Sequence, residues 1–274
     1  MKDETAGDYS ALDRPDVLMF LFHPRAETAS PLQTAGSQSS PAGRTDIMIP
    51  VADNVAIGAR FHTAEKAGGN ILFFHGNGEI VADYDELGSI YNRMGINFLA
   101  VDYRGYGRST GNPTVAAMMQ DCHTIFAFVR SWLQQNNFHG PTILMGRSLG
   151  SASVLELAAT YCAEIDGLIV ESGFAYAGPL LELLGIDLAS LGFKEEKGFG
   201  NIDKIKKFNK PTLVIHAEYD HIIPFSDGQA LYEACPSADR TLLKIPGANH
   251  NDIFMRGLQE YLSAVGKLVE KAGQ

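Results

Sequence analysis

The chain of 274 residues is 45% hydrophobic and 20% charged, enough apolar content to bury a full core, so disordered and fibrous classes are excluded. Acidic residues number 32 against 22 basic ones, and the net charge of -10 repels phosphate backbones, which argues against a nucleic-acid partner. Cys122, Cys162 and Cys235 are odd in number and far apart, so neither a disulfide framework nor a zinc-ligand spacing is present and a reducing compartment fits best.

In chain order, Met1-Lys2-Asp3-Glu4 is acidic, and the apolar run at 17–22 is far shorter than a signal-peptide core or a membrane span. The last residues carry no prenylation box, so the expectation is a cytoplasmic protein with no integral membrane segment. Asp13-Arg14-Pro15-Asp16 sets a capping-type residue and a proline ahead of the apolar run, which predicts a short helix with a sticky face. Residues 26–43 have linker composition, Ser, Thr, Pro, Gly and Gln with almost no large apolar side chain. Residues 1–44 are therefore expected to form an arm and linker, either docked on the main domain's surface or lying as a flap beside its site.

A single domain is expected over 45–274. The runs 46–51 and 55–61, parted by Ala52-Asp53-Asn54, predict an antiparallel hairpin. Short Val/Ile/Leu/Phe-rich runs follow at 71–74, 96–101, 142–145, 167–170, 212–216 and 241–245. Helical patterns separate them at 81–94, 114–136, 149–163, 226–235 and 252–271. Near-continuous apolar strands are buried on both faces, so the fold class is α/β: a mostly parallel central sheet, an antiparallel N-terminal hairpin and helices on both faces.

Gly146-Arg147-Ser148-Leu149-Gly150 directly follows Thr142-Ile143-Leu144-Met145 and opens into a helix-prone stretch, which is the strand-to-helix context of a nucleophile elbow. A serine hydroxyl is a poor nucleophile unless a base lies within reach and an acid fixes the tautomer of that base. Of the eight histidines, His250 lies in the polar loop Gly247-Ala248-Asn249-His250-Asn251-Asp252 after the last predicted strand, where open α/β sheets collect functional groups. His216, inside a strand, and His221, beside Asp220, are rival bases, whereas His23, His62, His123 and His139 read as structural or surface residues. Asp220, beyond the strand at 212–216, is the preferred acid because Ser148, Asp220 and His250 run in the order Ser, Asp, His, and Glu171 at the end of the preceding strand is its rival. Asp102 and Asp252 are expected to make structural bonds, the latter as a helix cap.

A tetrahedral intermediate also needs N–H donors for its oxyanion. Leu149, immediately after the serine, offers one through its main chain, and Asn77 in His75-Gly76-Asn77-Gly78 offers another. That loop carries neither of the glycine-rich phosphate-binding signatures, so a nucleotide site is not expected there.

With the GRSLG elbow, the HGNG loop at 75–78, Asp102-Tyr103-Arg104-Gly105-Tyr106-Gly107-Arg108-Ser109 and the closing GANH, the chain resembles α/β-hydrolase-fold serine hydrolases over 45–271. The resemblance is to the branch of α/β-hydrolase-domain proteins with DYRGYG-x-S, which includes acyl-protein thioesterases and many uncharacterised bacterial hydrolases. It implies Ser148 as nucleophile, Asp220 as acid, His250 as base, and the Asn77 and Leu149 amides as oxyanion hole, with Asp102 and Arg104 in a structural loop near the site. The segment where this fold inserts its cap, 175–207, is short, and the cysteine-rich N-terminus of depalmitoylating members is absent, so palmitoyl-protein substrates are not expected. Serine rather than aspartate at 148 points to acyl transfer to water. The resulting expectation is a serine hydrolase of small-molecule carboxylic esters or thioesters that needs no cofactor or metal. The alternatives are a serine aminopeptidase or amidase on the same triad, and a ligand-binding protein that keeps the site with negligible turnover.

Overall fold

Leu72 and Phe74 belong to one buried cluster and their neighbours Ile71 and Phe73 to another, so successive residues of one strand feed cores on opposite sides of a sheet. The same division separates Leu144 from Ile143 and Met145, and Leu168 and Val170 from Ile169. It is the physical reason these runs are apolar at every position. In the computed structural model, which describes residues 9–28, 43–195 and 198–274, the runs form one sheet of eight strands. These are β1 (Arg44–Ala52), β2 (Val55–His62), β3 (Asn70–Phe74), β4 (Asn97–Val101), β5 (Thr142–Arg147), β6 (Gly167–Glu171), β7 (Thr212–Ala217) and β8 (Arg240–Ile245).

The spatial order is β1-β2-β4-β3-β5-β6-β7-β8. β1 pairs antiparallel with β2, and β2 with β4, while every pairing from β4 to β8 is parallel. The chain leaves β3 to one side for β4 and returns to its other side for β5, so the order reverses at β3 and β5. Ligands of open α/β sheets bind beyond the strand C-termini at such a switch point. Here the HGNG loop leaves β3 and the GRSLG elbow leaves β5.

The helices are α1 (Pro15–Leu21), α2 (Asp85–Arg93), α3 (Val115–Gln135), α4 (Gly150–Thr160), α5 (Ala177–Leu183), α6 (Leu188–Leu191), α7 (Asn201–Ile205), α8 (Phe225–Ala234) and α9 (Ile253–Ala272). Buried residues of α3, α4 and α8 pack on one side of the sheet, and those of α2 and α9 on the other. α4 ends three residues short of its predicted limit, and a turn of 3₁₀ helix over Cys162–Glu164 follows. In the cap segment, Leu181 is buried and Leu180, Leu184, Ile186, Leu188, Leu191 and Phe193 pack against the core, while Leu183 stays 58% exposed. No helix among the described residues is long and apolar enough to cross a membrane.

The arm is tied down by burial of Tyr9, Leu12, Val17, Leu21 and Phe22 in the same core as α3 and α4. Asp13 does not cap α1, whose N-cap position is Arg14 with no side-chain capping bond. Its carboxylate instead accepts the N–H groups of Val115 at 2.6 Å and Ala116 at 3.3 Å. Thr114 accepts from Ala117, so two side chains share the free amides at the start of α3. The linker expected over 26–43 falls largely outside the described residues.

One half-buried ion cluster joins three helices. Glu156 on α4 meets Lys204 on α7 at 2.6 Å and His123 on α3 at 3.4 Å. Burial alone would raise the carboxyl, but the bond to His123 and the charge of Lys204 outweigh it and hold the pKa at about 2. A carboxylate whose folded pKa is depressed stabilises the fold above its unfolded value and loses that contribution as pH falls through the folded one. Glu156→Gln is therefore expected to lower Tm at neutral pH, and its deficit against wild type should shrink as pH falls from 4.5 towards 2. Thermal unfolding followed by circular dichroism across that range checks this; a deficit of constant size would remove the ionised pair as its origin.

Candidate active site

The elbow is shaped by backbone contact. A Cβ at Gly146 would lie 2.4 Å from the Gly150 carbonyl oxygen, and one at Gly150 would lie 2.1 Å from that of Phe74, so only glycine permits α4 to start so close to β3 and β5. Ser148 between them adopts φ +51°, the left-handed region that costs a non-glycine residue roughly 1 kcal/mol or more. Its N–H donates to the Glu171 carbonyl at 2.9 Å, and its own carbonyl accepts from the N–H and hydroxyl of Ser151. Ser148 is half-buried while Arg147, Leu149 and Gly150 are buried, so the turn presents the serine.

Beyond β7 and β8 the structure brings Asp220 and His250 together. His250 Nδ1 lies 2.7 Å from Asp220 Oδ2, with both residues buried. Asp220 Oδ1 accepts the N–H groups of Ile222 at 3.0 Å and Ile223 at 2.8 Å. Burial works to raise this carboxyl, but the His250 contact and the two backbone donors prevail and keep it below the ordinary carboxylate range. Asp252 begins α9 without capping it: its carboxylate accepts the Asn249 N–H at 2.6 Å and meets Arg256 at 3.3 Å. It shapes the His250 loop rather than the helix end.

The rival residues are engaged elsewhere. His216 sits on Asp220 at a longer 3.6 Å, with its Nε2 2.8 Å from the Ile223 carbonyl, and burial lowers its pKa. His221 is exposed. Glu171 accepts the Tyr261 hydroxyl at 2.7 Å and faces Arg147 at 3.6 Å, and burial raises its pKa despite that arginine. No hydrogen bond joins Ser148 to His250 among the described residues. Their loops are linked through Arg147, whose Nη2 donates to the His250 carbonyl at 3.0 Å; bonds between catalytic groups commonly tighten only when substrate binds.

The loop after β3 is held from several sides. His75 is fully buried, with Nε2 3.2 Å from Asp102 and its carbonyl accepting the Tyr103 hydroxyl at 2.7 Å. Asp102 also accepts the Val81 N–H, and Arg104 forms a two-pronged bond with Asp121, so Asp102 and Arg104 are structural in this loop. The Asn77 side chain is occupied: its Oδ1 accepts from the Tyr106 hydroxyl at 2.7 Å and the His23 N–H at 2.8 Å, and its Nδ2 lies 3.0 Å from His23 Nδ1.

Among the described residues of the arm, 9–22 contribute side chains to the core and 23–27 border the loop. Arg25 donates to the Gly78 carbonyl at 2.7 Å, Glu27 pairs with Arg60 at 2.7 Å, and the arm backbone bonds to Gly107. Sequence reasoning missed this lacing and also the pairing of buried Arg147 with half-buried Glu79 at 3.0 Å. The one local signal was an arginine directly after an apolar run, inside the elbow itself.

The family described as serine aminopeptidase, S33, matches residues 65–189. Human alpha/beta hydrolase domain-containing protein 17B is 34% identical over 212 residues, covering 73% of this chain and 66% of its own length. The mouse protein 17C is 33% identical over 207 residues, covering 70% and 59%. The chain thus spans less than two thirds of the length of these curated relatives. Among solved structures, the Pyrococcus furiosus esterase Pf2001 superposes with a TM-score of 0.69 at 18% identity, covering 91% of this chain and 98% of that one. A Paleococcus ferrophilus monoacylglycerol lipase does so with a TM-score of 0.60 at 19% identity, covering 78% and 99%. These likenesses, together with the mostly parallel sheet and its switch point, establish that the chain belongs to the α/β-hydrolase-fold family.

Proposed function

We propose that the chain hydrolyses carboxylic esters or thioesters of small molecules through an acyl-enzyme, with Ser148 as nucleophile, His250 as base and Asp220 as acid. The observation that supports this reading is the buried 2.7 Å Asp220–His250 contact, whose His250 carbonyl accepts from Arg147, the residue directly before the elbow serine. His250 Nε2 takes the Ser148 proton as Oγ attacks the acyl carbon, and Asp220 stabilises the imidazolium that forms. The proton then passes to the leaving alcohol or thiol as its bond to the acyl carbon breaks. Water, deprotonated by the same imidazole, attacks the acyl-serine and releases the acid. The oxyanion of each tetrahedral intermediate is assigned to the main-chain N–H groups of Leu149 and Asn77.

Occupation of the Asn77 side chain by Tyr106 and His23 favours its backbone as the donor. Asn77→Ala is expected to keep kcat within about 10-fold, since loss of a true side-chain donor costs about 10²- to 10³-fold. Gly76→Val should be far more damaging, because a Cβ there lies 2.8 Å from Glu79 Oε2, the acceptor of the Gly76 N–H. Steady-state kinetics decide this; a 10²-fold loss in folded Asn77→Ala would make the carboxamide the donor.

The deciding experiment is fluorophosphonate labelling with peptide mapping, followed by ester, thioester and peptide panels. Labelling at Ser148 and turnover of short to medium acyl esters or thioesters are expected. Most apolar side chains of α5 and α6 pack on the core, which leaves a short apolar wall and supports neither a deep acyl tunnel nor palmitoyl-length substrates. The serine aminopeptidase description of the matched family favours a second reading, peptide hydrolysis on the same triad. Peptides outrunning every ester would establish it, and labelling without turnover would indicate a binding protein. The three unpaired cysteines support a reducing, cytoplasmic setting.

A further inference from the structure

Arg147 is 7% exposed and lies at the end of β5, directly before the elbow serine. A buried guanidinium is costly unless each edge finds an acceptor. Its Nη2 donates to the His250 carbonyl at 3.0 Å and its Nε to Glu79 Oε1 at 3.0 Å, while Nη1 faces Glu171 Oε1 at 3.6 Å. The second oxygen of Glu79 accepts the Gly76 N–H at 2.6 Å and the Tyr84 hydroxyl at 2.5 Å. Glu171 is anchored by Tyr261 on α9, and its backbone carbonyl receives the Ser148 N–H at 2.9 Å. One side chain thereby touches the base loop directly, the HGNG loop through Glu79, and the strand behind the serine through Glu171.

We propose that Arg147 is a positioning residue, and that the Arg147–Glu79 pair fixes the distance between the His250 loop, the HGNG loop and Ser148. The proposal rests on the serine-hydrolase reading for its kinetic consequence, though the tether itself can be observed without turnover. A planar, forked guanidinium can donate to Glu79 and to the His250 carbonyl in different directions while its third edge pairs with the Glu171 charge; a lysine ammonium keeps the charge but not that geometry. Misplacing reacting groups by about 1 Å can cost on the order of 10²-fold in rate.

The test compares wild type, Arg147→Lys, Glu79→Gln and the double variant. In Arg147→Lys, kcat and the rate of fluorophosphonate labelling should fall together by about 10²-fold with KM changed little. Hydrogen exchange should quicken in the peptides covering 75–79 and 247–252 but not in α3. Glu79→Gln can keep its oxygen on the Gly76 N–H and Tyr84 hydroxyl but then turns an NH₂ towards Arg147 Nε, so kcat should fall there as well, and the double variant should be little worse than Arg147→Lys alone. Folded Arg147→Lys with wild-type kcat, or with wild-type exchange in both loops, would overturn the proposal. So would a loss seen only in KM, or additive losses in the double variant. If Ser148 in wild type is neither labelled nor productive, the hydrolase reading fails, and the exchange data still decide whether Arg147 ties the two loops.

Discussion

Ser148→Ala is expected to lose about four to six orders of magnitude in kcat for any ester the wild type cleaves, with little change in Tm. The reasoning has a chemical and a structural half. Chemically, no other hydroxyl is presented at the turn out of β5: Ser151 donates its hydroxyl to the Ser148 carbonyl at 2.6 Å. Without Oγ there is no acyl-enzyme, and the residual rate is what oriented water and the oxyanion donors can supply. Structurally, the bonds that hold residue 148 are made by its backbone, to Glu171 and Ser151, and alanine keeps them. Alanine also meets the same left-handed backbone as serine, so the strain at φ +51° is not relieved or worsened by much. Steady-state assays, probe labelling and thermal unfolding of the purified variant check all three expectations. Turnover near the wild-type level by folded Ser148→Ala would end the triad reading.

What was legible in the sequence followed from local signals. Strands such as 71–74 and 142–145 stood out because both their faces are buried, and the elbow because two glycines flank a serine between such a strand and a helix. Asp220 and His250 were readable from their place after strands and from chain order, although 30 residues separate them. Bonds with no local periodicity were not readable. Arg147 reaches Glu79 across 68 residues and His250 across 103, and Asp13 reaches Val115 across 102. The sheet order, with β3 beside β5, brings Arg147 to Glu79, while docking of the arm on α3 brings Asp13 to Val115. Asp13 shows the consequence: beside Pro15 it has the composition of a cap for α1, yet the free amides it serves belong to α3. Asp252 is a second case, since its carboxylate had a nearer donor in Asn249 than in its own helix.

The acid gives the other large effect. Asp220→Asn is expected to lower kcat by about 10⁴-fold, and the hydrogen bonds around Asp220 show why. Oδ1 already accepts two backbone N–H groups, from Ile222 and Ile223, so an asparagine would keep its carbonyl oxygen there and turn its NH₂ towards His250. His250 Nδ1 would then have to accept, which moves the ring proton to Nε2, the nitrogen that must be free to deprotonate Ser148. The variant should fold, because the two backbone contacts survive. His216, also on Asp220, offers no substitute, because its Nε2 is held by the Ile223 carbonyl. Glu171→Gln should be much milder in kcat, since that carboxylate faces Tyr261 and Arg147 rather than an imidazole, and its cost should fall mainly on stability. Assays of both variants at neutral pH, with nitrogen NMR shifts of the His250 ring reporting the tautomer, test the assignment directly. A larger loss of kcat in Glu171→Gln than in Asp220→Asn would move the acid to the end of β6.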